Sequence, residues 1–365
     1  MRAKVDADEL ADFRRCRRAW DLGSPNRRNL EPLAGADAAP DVAEAVRRAL
    51  AVYYFPGMWD WDRPMVEGLT RADLRRWLPD GSPELASAVL LIDAYLAWAP
   101  SVDRFAPIRV ASAYEAPISH PTDASGGIVD ARGRPVDYVG EVDLLVTDDA
   151  DRYWVVHHRV GMGNWVGERI LGLDERDIAD CWGVQAAYLG LEVAGTISNE
   201  VRLDVVGAVE AAGRRAVAHV AQNDPSGGGR SIPQHRRVAV RGATALDELR
   251  IEERGPFRRT WIPRSAVEIG EVGRRIGRVV SDMVASDLDP YPTPSSRNCS
   301  DCAFLEPCIE MSLGRSPEEI LGNGYQPRGQ RAVEPGRLGG ATWGMGRGAV
   351  PPERWSGGHR DAGRD

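Results

Sequence analysis

Residues Gly140 to Gly161, GEVDLLVTDDADRYWVVHHRVG, contain two runs of alternating side chains separated by an acidic segment. Each run repeats with a period of two, which places these residues on alternate positions: Val142, Leu144 and Val146 in the first run, and Trp154, Val156 and His158 in the second. A period of two is typical of a β-strand, and the segment from 147 to 151 is long enough for a turn. We therefore predict a hairpin in which Asp143, His157 and Arg159 can share one face.

This hairpin resembles the core of the PD-(D/E)xK nucleases, and in particular their RecB-like branch, which usually reads G-x-(V/I)-D followed by V-D-x-K-x-G. Gly140-Glu141-Val142-Asp143, Val156 and Gly161 match that pattern, but His157 replaces the second acid and Arg159 replaces the lysine. The resemblance implies a restriction-endonuclease-like α/β fold, with a central mixed sheet flanked by helices. It also implies a nuclease site, which is degenerate here.

The replacements at this site change the chemistry that it can support. Exchanging a carboxylate for imidazole removes a ligand that Mg²⁺ prefers, and arginine keeps its proton, so it cannot act as a base. Asp143 and His157, helped by Glu141, could instead hold a softer divalent metal. Alternatively, His157 only packs or hydrogen-bonds in a retired site. RecB-like enzymes often carry a metal-binding His in their first long helix, and residues 41–54 contain none.

Length and composition favour one large domain. The chain has 365 residues, of which 43% are hydrophobic, and we assign residues 1–315 to a single α/β unit. No apolar run reaches the ~20 residues that span a bilayer, and no signal peptide is evident, so we expect a cytoplasmic protein with no membrane partner. A net charge of -8 argues against extensive coating of nucleic acid but not against a local basic groove.

Periodicity and turn residues predict the other elements. The predicted helices are residues 6–20 with Asp6 as N-cap, Asp41 to Tyr54, Glu84 to Ala99, Asp174 to Val193 and Ala266 to Asp287. The predicted strands are Ile108 to Pro117, which bears Glu115, and Val201 to Val209. A loop is expected at 222–231, and the Gly-, Arg- and Pro-rich tail from 322 to 365 is expected to be disordered.

Two groups of residues are candidates for nucleic-acid contact. Gln185 and Tyr188 lie near one face of their helix, where the family has Q-x-x-x-Y and this chain has Q-x-x-Y. Arg258 and Arg259 lie close to Trp261, and basic residues beside aromatic ones suit phosphate contact and base stacking. The alternatives are an ordinary amphipathic core helix and solvated arginines.

Five cysteines occur, at 16, 181, 299, 302 and 308, and the last three form C-x2-C-x5-C. In a cytosolic protein this spacing favours metal over disulfides, and four thiolates suit an iron-sulfur cluster, although zinc or free thiols are alternatives. The arrangement resembles that of iron-sulfur RecB-like nucleases of the AddB and CRISPR-associated exonuclease type. That resemblance implies that Cys16, Cys299, Cys302 and Cys308 hold a 4Fe-4S cluster that staples the two ends of the domain. Cys181 then remains a core residue.

These patterns lead to three hypotheses. The first is a RecB-like iron-sulfur protein of DNA repair or processing whose nuclease activity is lost or weak. It would bind DNA that is single-stranded or has ends, or a protein of a repair complex. The second is an active metal-dependent DNA exonuclease that uses Asp143, His157, Glu141 and Arg159. The third is a structural interaction module. Salt-sensitive DNA binding separates the first two from the third, and metal-dependent turnover separates the first from the second.

Overall fold

The computed structural model describes residues 2–33, 41–123, 126–204, 236–237 and 249–329. Its strands are β1 Ala3–Val5, β2 Leu30–Pro32, β3 Phe105–Pro117, β4 Val136–Asp148, β5 Tyr153–Gly161, β6 Val193–Arg202, β7 Arg236–Arg237, β8 Arg250–Arg254, β9 Phe257–Pro263 and β10 Tyr325–Pro327. Its helices are α1 Ala7–Arg15, α2 Arg17–Gly23, α3 Val42–Tyr53, α4 Arg63–Trp77, α5 Pro83–Val102, α6 Glu168–Leu173, α7 Glu175–Ala187, α8 Ala266–Met283, α9 Ser296–Cys299, α10 Leu305–Ser312 and α11 Glu318–Gly324. The loop expected at 222–231 lies outside the described residues.

Eight strands form one mixed sheet in the order β1-β4-β5-β6-β9-β8-β7, with β3 also paired to β4. The β1–β4 and β5–β6 pairs are parallel, and the other pairs are antiparallel. The predicted hairpin is confirmed as β4–β5, with Leu144 opposite Val156 and Thr147 opposite Tyr153. The prediction of an α/β fold with a mixed sheet and flanking helices is also confirmed. Its assignment to the restriction-endonuclease type stays a prediction.

Helices cover both faces of the sheet. On one face α3, α4 and α5 pack on β4, β5, β6 and β9, with Leu50, Leu91 and Ile197 completely buried. On the other face α1, α7 and α8 pack on β1, β3, β4 and β5, with Val155 and Val280 completely buried. Burying a side chain of this size contributes roughly 1.5–3 kcal/mol. The two cores together therefore hold the hairpin in place.

Helix α5 is the one described helix that is long and apolar enough to cross a membrane. Its mean hydropathy is 1.6 over the most apolar window, and half of that window is buried inside the protein. Leu91, Tyr95 and Leu96 of this helix lie against the sheet. A core helix meets the same criterion of length and composition, and this packing accounts for its apolar character.

The N-terminal helix differs from the prediction. Asp6 does cap it, because its Oδ1 accepts a hydrogen bond of 2.8 Å from the backbone N–H of Glu9. The expected continuous helix over residues 6–20 is wrong, however, because Cys16 has an extended backbone with φ -162° and ψ 109° and separates α1 from α2. Helical spacing in the sequence continues through this break, so periodicity alone did not reveal it.

Other elements also differ from the prediction. Helix α7 ends at Ala187 and not at Val193, where β6 already begins. Of the strand predicted at 201–209, residues 201–202 form the end of β6, and residues 205–209 lie outside the described residues. Helix α4 was not predicted. It begins at Arg63 and has Pro64 in its first turn.

The two ends of the described chain meet in a third cluster. Strands β2 and β10 form a small antiparallel sheet, and Ala19, Leu22, Phe304 and Leu321 pack together beside it. The expected disorder from 322 onward is therefore wrong for residues 322–329, because α11 and β10 belong to this cluster. The remainder of the tail lies outside the described residues. Residues near 16 and near 300 thus become neighbours.

Candidate functional site

Asp143 lies where β4 separates from β5, immediately before their last paired residues, Leu144 and Val156. Its Oδ2 accepts a hydrogen bond of 2.7 Å from the backbone N–H of His158. Its Oδ1 accepts one of 2.8 Å from Nη2 of Arg47, which comes from α3. The carboxylate therefore links the second strand of the hairpin to the first long helix.

At Asp143, the alternation of β4 side chains between the two faces of the sheet is interrupted. Leu144 contributes to the core under α3 and α5, whereas Val142 contributes to the core under α7 and α8, although a regular strand would place both on one side. On β3, Ala111 lies between the residues paired with these two and has φ 42°. Positive φ is uncommon for a residue with a side chain, and it marks a strained backbone. The irregularity lies beside Asp143.

Asp143 is an ionised carboxylate with a cation already beside it. Burial works to raise its pKa, but His158, Arg47 and His157, together with the backbone hydrogen bond, hold the pKa below its ordinary value. Arg47 also donates to Oε2 of Glu44 at 3.0 Å and lies in the field of the exposed Glu141. The guanidinium of Arg47 therefore supplies the positive charge beside Asp143, Glu44 and Glu141.

His157 and Arg159 face acidic side chains at the N-terminal end of α7. Nε2 of His157 lies 3.6 Å from Oδ1 of Asp177 and 3.6 Å from Oδ2 of Asp180. Nη2 of Arg159 donates to Asp174 at 2.8 Å and to Asp177 at 2.7 Å. The acids that face these two side chains, Asp174, Asp177 and Asp180, thus lie three residues apart at the N-cap and in the first turns of α7.

Asp143 pairs with Arg47 of α3, whereas Arg159 pairs with Asp174 and Asp177. His157 lies near Asp177 and Asp180 and is also close enough to Asp143 to help lower its pKa. Glu141, the fourth expected member, is exposed and lies in the field of Arg47. The assignment of these residues to one catalytic group stays a prediction. In the part of the chain that the structure describes, no three His, Cys, Asp or Glu side chains are placed to hold a single metal ion.

His158 is the buried histidine of this region. Its ring stacks on Tyr54 with centroids 5.8 Å apart, and its Nδ1 lies 2.9 Å from Nδ2 of Asn199. Burial lowers its pKa to about 4, with Arg259 and Arg47 acting in the same direction, so its imidazole is neutral at pH 7. It belongs to the core and not to an open cleft.

Arg259 was predicted to contact nucleic acid, and the structure contradicts this. Only 1% of its side chain is exposed. It forms an ion pair with Asp103 and donates to the hydroxyls of Tyr54 and Tyr95, both at 3.0 Å, and to Oδ1 of Asn199 at 3.2 Å. A buried guanidinium needs several acceptors, and this network supplies them.

The prediction that Arg258 and Trp261 contact nucleic acid is contradicted for the same reason, because both side chains are buried. Arg258 is buried and donates to Oε2 of Glu200 at 2.7 Å, and Trp261 packs edge-on against Trp154 with centroids 5.0 Å apart. Every residue of strand β9 except its last, Pro263, is buried, so its side chains are covered on both faces of the sheet. These residues stabilise the fold.

Gln185 and Tyr188 lie at the C-terminal end of α7. Oε1 of Gln185 accepts a hydrogen bond of 3.0 Å from the backbone N–H of Val193, at the start of β6. Tyr188 accepts one of 3.2 Å from Arg109, whose guanidinium also lies 4.9 Å from the centre of its ring. Both residues are half-buried. Their role in binding nucleic acid stays a prediction.

The four cysteines expected to bind a cluster surround one pocket. Cys16, Cys299, Cys302 and Cys308 all line it, and its other walls include Pro292, Thr293, Asn298, Phe304 and Leu305. Its cavity volume is about 30 Å³, and it is partly open to solvent. Cys181 is fully buried in the core under α7 and α8, away from this pocket. The structure thus separates Cys181 from the other four.

The pocket cysteines are not placed to hold a single metal ion. Tetrahedral zinc, at ~2.3 Å from each sulfur, would require thiolates about 3.8 Å apart. An iron-sulfur cluster has its own iron and sulfide atoms between its ligands. Binding of either group at this pocket stays a prediction. Burial raises the pKa of Cys302, and Cys16 and Cys299 add to the effect. These thiols therefore lie within each other's electrostatic range.

Neither protein-family models nor curated proteins give a match to this chain. Two regions are candidates for a function. One is the Asp143 region, which comprises Asp143, His157, Arg159 and the residues that contact them, and the other is the cysteine pocket.

Proposed function

We propose that this protein is a RecB-like, iron-sulfur-bearing protein that binds DNA or a repair partner and has lost efficient cleavage. The observation that carries the proposal is the convergence of Cys16 with Cys299, Cys302 and Cys308 on one pocket. A 4Fe-4S cluster held there would join the first helices to the last ones and could accept or release one electron. The cytoplasm, which keeps thiols reduced, is the compartment that suits this site.

The loss of cleavage is supported by the contacts of Asp143. Two-metal or one-metal hydrolysis of a phosphodiester needs acidic oxygens that are available to a cation. Asp143 instead faces Arg47 at 2.8 Å, Arg159 donates to Asp177 at 2.7 Å, and Nε2 of His157 lies 3.6 Å from Asp177. An active metal-dependent exonuclease that uses Asp143 and His157 is therefore the less favoured hypothesis.

The proposal is tested by purifying the full chain without oxygen. We expect a brown protein with near-stoichiometric cluster iron and sulfide, and salt-sensitive binding to labelled single-stranded DNA. Incubation with Mg²⁺ or Mn²⁺ should give little or no cleavage. A colourless protein with stoichiometric zinc would refute the cofactor, and absence of DNA binding at low salt would refute the nucleic-acid partner.

A second candidate function, an interaction module, is favoured by α10. Leu305, Ile309 and Leu313 repeat every four residues and are 36%, 40% and 59% exposed beside the cysteine pocket. An exposed apolar stripe of this kind is typical of a protein-binding surface. Retention of a repair protein by the wild type, and its loss with Ile309→Asp but not with Glu310→Gln, would support this candidate.

A further inference from the structure

Arg18 connects α2 to the helix that carries Cys308. Its Nη1 lies 2.9 Å from Oγ of Ser312, 3.4 Å from the carbonyl oxygen of Cys308 and 3.7 Å from Sγ of Cys308. Its Nε is buried and has no hydrogen-bond partner among the described residues. Arg18 thus places a positive charge beside Cys308, and its Nε is a buried donor close to the same pocket.

Arg14 and Arg17 are engaged elsewhere: Arg14 pairs with Glu175 at 2.8 Å, and the guanidinium of Arg17 lies between the rings of Phe13 and Tyr291. Arg15 pairs with Asp12 and also lies within the electrostatic range of Cys302. Among the described residues, Arg18 is the arginine that donates to a cysteine sulfur. Two backbone N–H groups also face pocket sulfurs: that of Thr293 lies 3.5 Å from Sγ of Cys16, and that of Phe304 donates to Cys302.

A donor beside a ligand sulfur has a defined physical effect. Reduction adds negative charge to an iron-sulfur cluster, and hydrogen bonds and positive charge at its sulfurs stabilise the reduced form. Such contacts also fix the orientation of the ligands and slow their loss. A charge-assisted hydrogen bond is stronger than a neutral one.

We propose that Arg18 is a positioning residue of the cysteine pocket, which raises the reduction potential of the cluster bound there and slows its release through its contact with Cys308. This inference rests on the proposed function, because it requires that the pocket hold a cluster. Arginine at this position supplies both a permanent charge and more than one donor, and lysine would supply the charge with a single nitrogen.

The test compares Arg18→Gln and Arg18→Lys with Arg14→Gln, in full-length protein prepared without oxygen. Two quantities are measured: the midpoint potential by redox titration of the visible absorption, and the rate at which an iron chelator removes the cluster. We expect Arg18→Gln to shift the potential to more negative values and to speed cluster loss several-fold. Arg18→Lys should show a smaller shift in the same direction, and Arg14→Gln should resemble wild type.

Failure of this inference is distinct from failure of the proposed function. Wild type without iron and sulfide would overturn both. A loaded Arg18→Gln protein whose potential and release rate equal those of Arg14→Gln would overturn only the role of Arg18. If Arg18→Gln does not fold, Arg18→Lys decides the question, because a potential and a release rate equal to those of wild type would overturn the inference.

Discussion

The Asp143 region and the cysteine pocket differ in where their functional groups find partners. Asp143 is bound by Arg47 and by the backbone of His158, and His157 lies against Asp177 and Asp180. The pocket cysteines line a common space, and their sulfurs receive contacts from Arg18 and from the backbone N–H groups of Thr293 and Phe304. Polar groups with internal partners stabilise a fold, whereas convergent thiols around a space suit a ligand.

The comparison also separates two ways in which this fold is held together. The sheet is stabilised on both faces by apolar cores and by buried pairs such as Arg259–Asp103. The cluster of Ala19, Leu22, Phe304 and Leu321 that joins the two ends is much smaller. A small apolar cluster supplies little free energy, so a bound cofactor would matter most at the ends.

Removing a pocket cysteine should have the largest effect. Cys302→Ser should lose cluster iron and colour, and its Tm should fall by roughly 5–10 °C, because a ligated cluster closes a loop between the two ends and its binding energy becomes folding energy. The measurement is iron content and thermal unfolding followed by circular dichroism. Cys181→Ala is the control, since it should keep its iron. Equal iron loss in both variants would contradict the assignment of ligands.

Removing the cation beside Asp143 should have the next largest effect. Arg47→Ala leaves a mostly buried carboxylate without its ion pair, and we expect a loss of about 1–3 kcal/mol in the free energy of unfolding at pH 7. Denaturant unfolding measures this loss, with the exposed Arg75→Ala as control. Wild type should be indifferent to Mn²⁺. Stabilisation of wild type by millimolar Mn²⁺ would show that the Asp143 region still accepts a cation.

Asp180 provides a pH-dependent test of the Asp143 region. Burial raises its pKa to about 6 from an ordinary value of 3.8, and Asp177 adds to the increase. Its contribution to stability is therefore fully present below pH 3.8 and is lost as the pH rises through about 6. Asp180→Asn keeps an oxygen that can accept the hydroxyl of Tyr114, and it carries no charge.

We therefore expect the Asp180→Asn variant to gain about 1–3 kcal/mol relative to wild type between pH 4 and pH 7. The free energies of unfolding of both proteins, measured across this range, give the difference directly. Asp8→Asn is a matched control because Asp8 is exposed on α1. A difference that is constant with pH would mean that Asp180 is ionised at pH 4 in the folded protein.

The sequence predicts the elements whose signals are local. The alternation in β4 and β5, the N-cap at Asp6 and the apolar face of α8 each require only neighbouring residues, and each is confirmed. Most of strand β6 was not predicted, because Ser198, Asn199 and Glu200 are all buried and its sequence does not alternate between apolar and polar residues. Arginine is nearly the only basic residue of this chain, so its position could not distinguish the buried Arg259 from an exposed side chain.

The details of the candidate site depend on contacts between distant residues. The partners of Asp143 and His157 come from α3 and α7, which no local pattern connects to the hairpin. The change of facing beside Ala111 is likewise a property of the paired strands. One signal was available in the sequence, since Asp174, Asp177 and Asp180 recur every three residues and therefore share a helix face.

The smallest expected effect is that of restoring the family residues. In the combined His157→Asp and Arg159→Lys variant, the new carboxylate would face Asp177 and Asp180, and lysine cannot reproduce the bonds of arginine to two acids. Asp143 would still face Arg47. We therefore expect no gain of Mg²⁺-dependent cleavage of single-stranded DNA, together with a modest loss of stability from repulsion among the acids. Cleavage that appears in this variant and disappears when Asp143→Ala is added would show that the nuclease site is only damaged and that Arg47 does not block it.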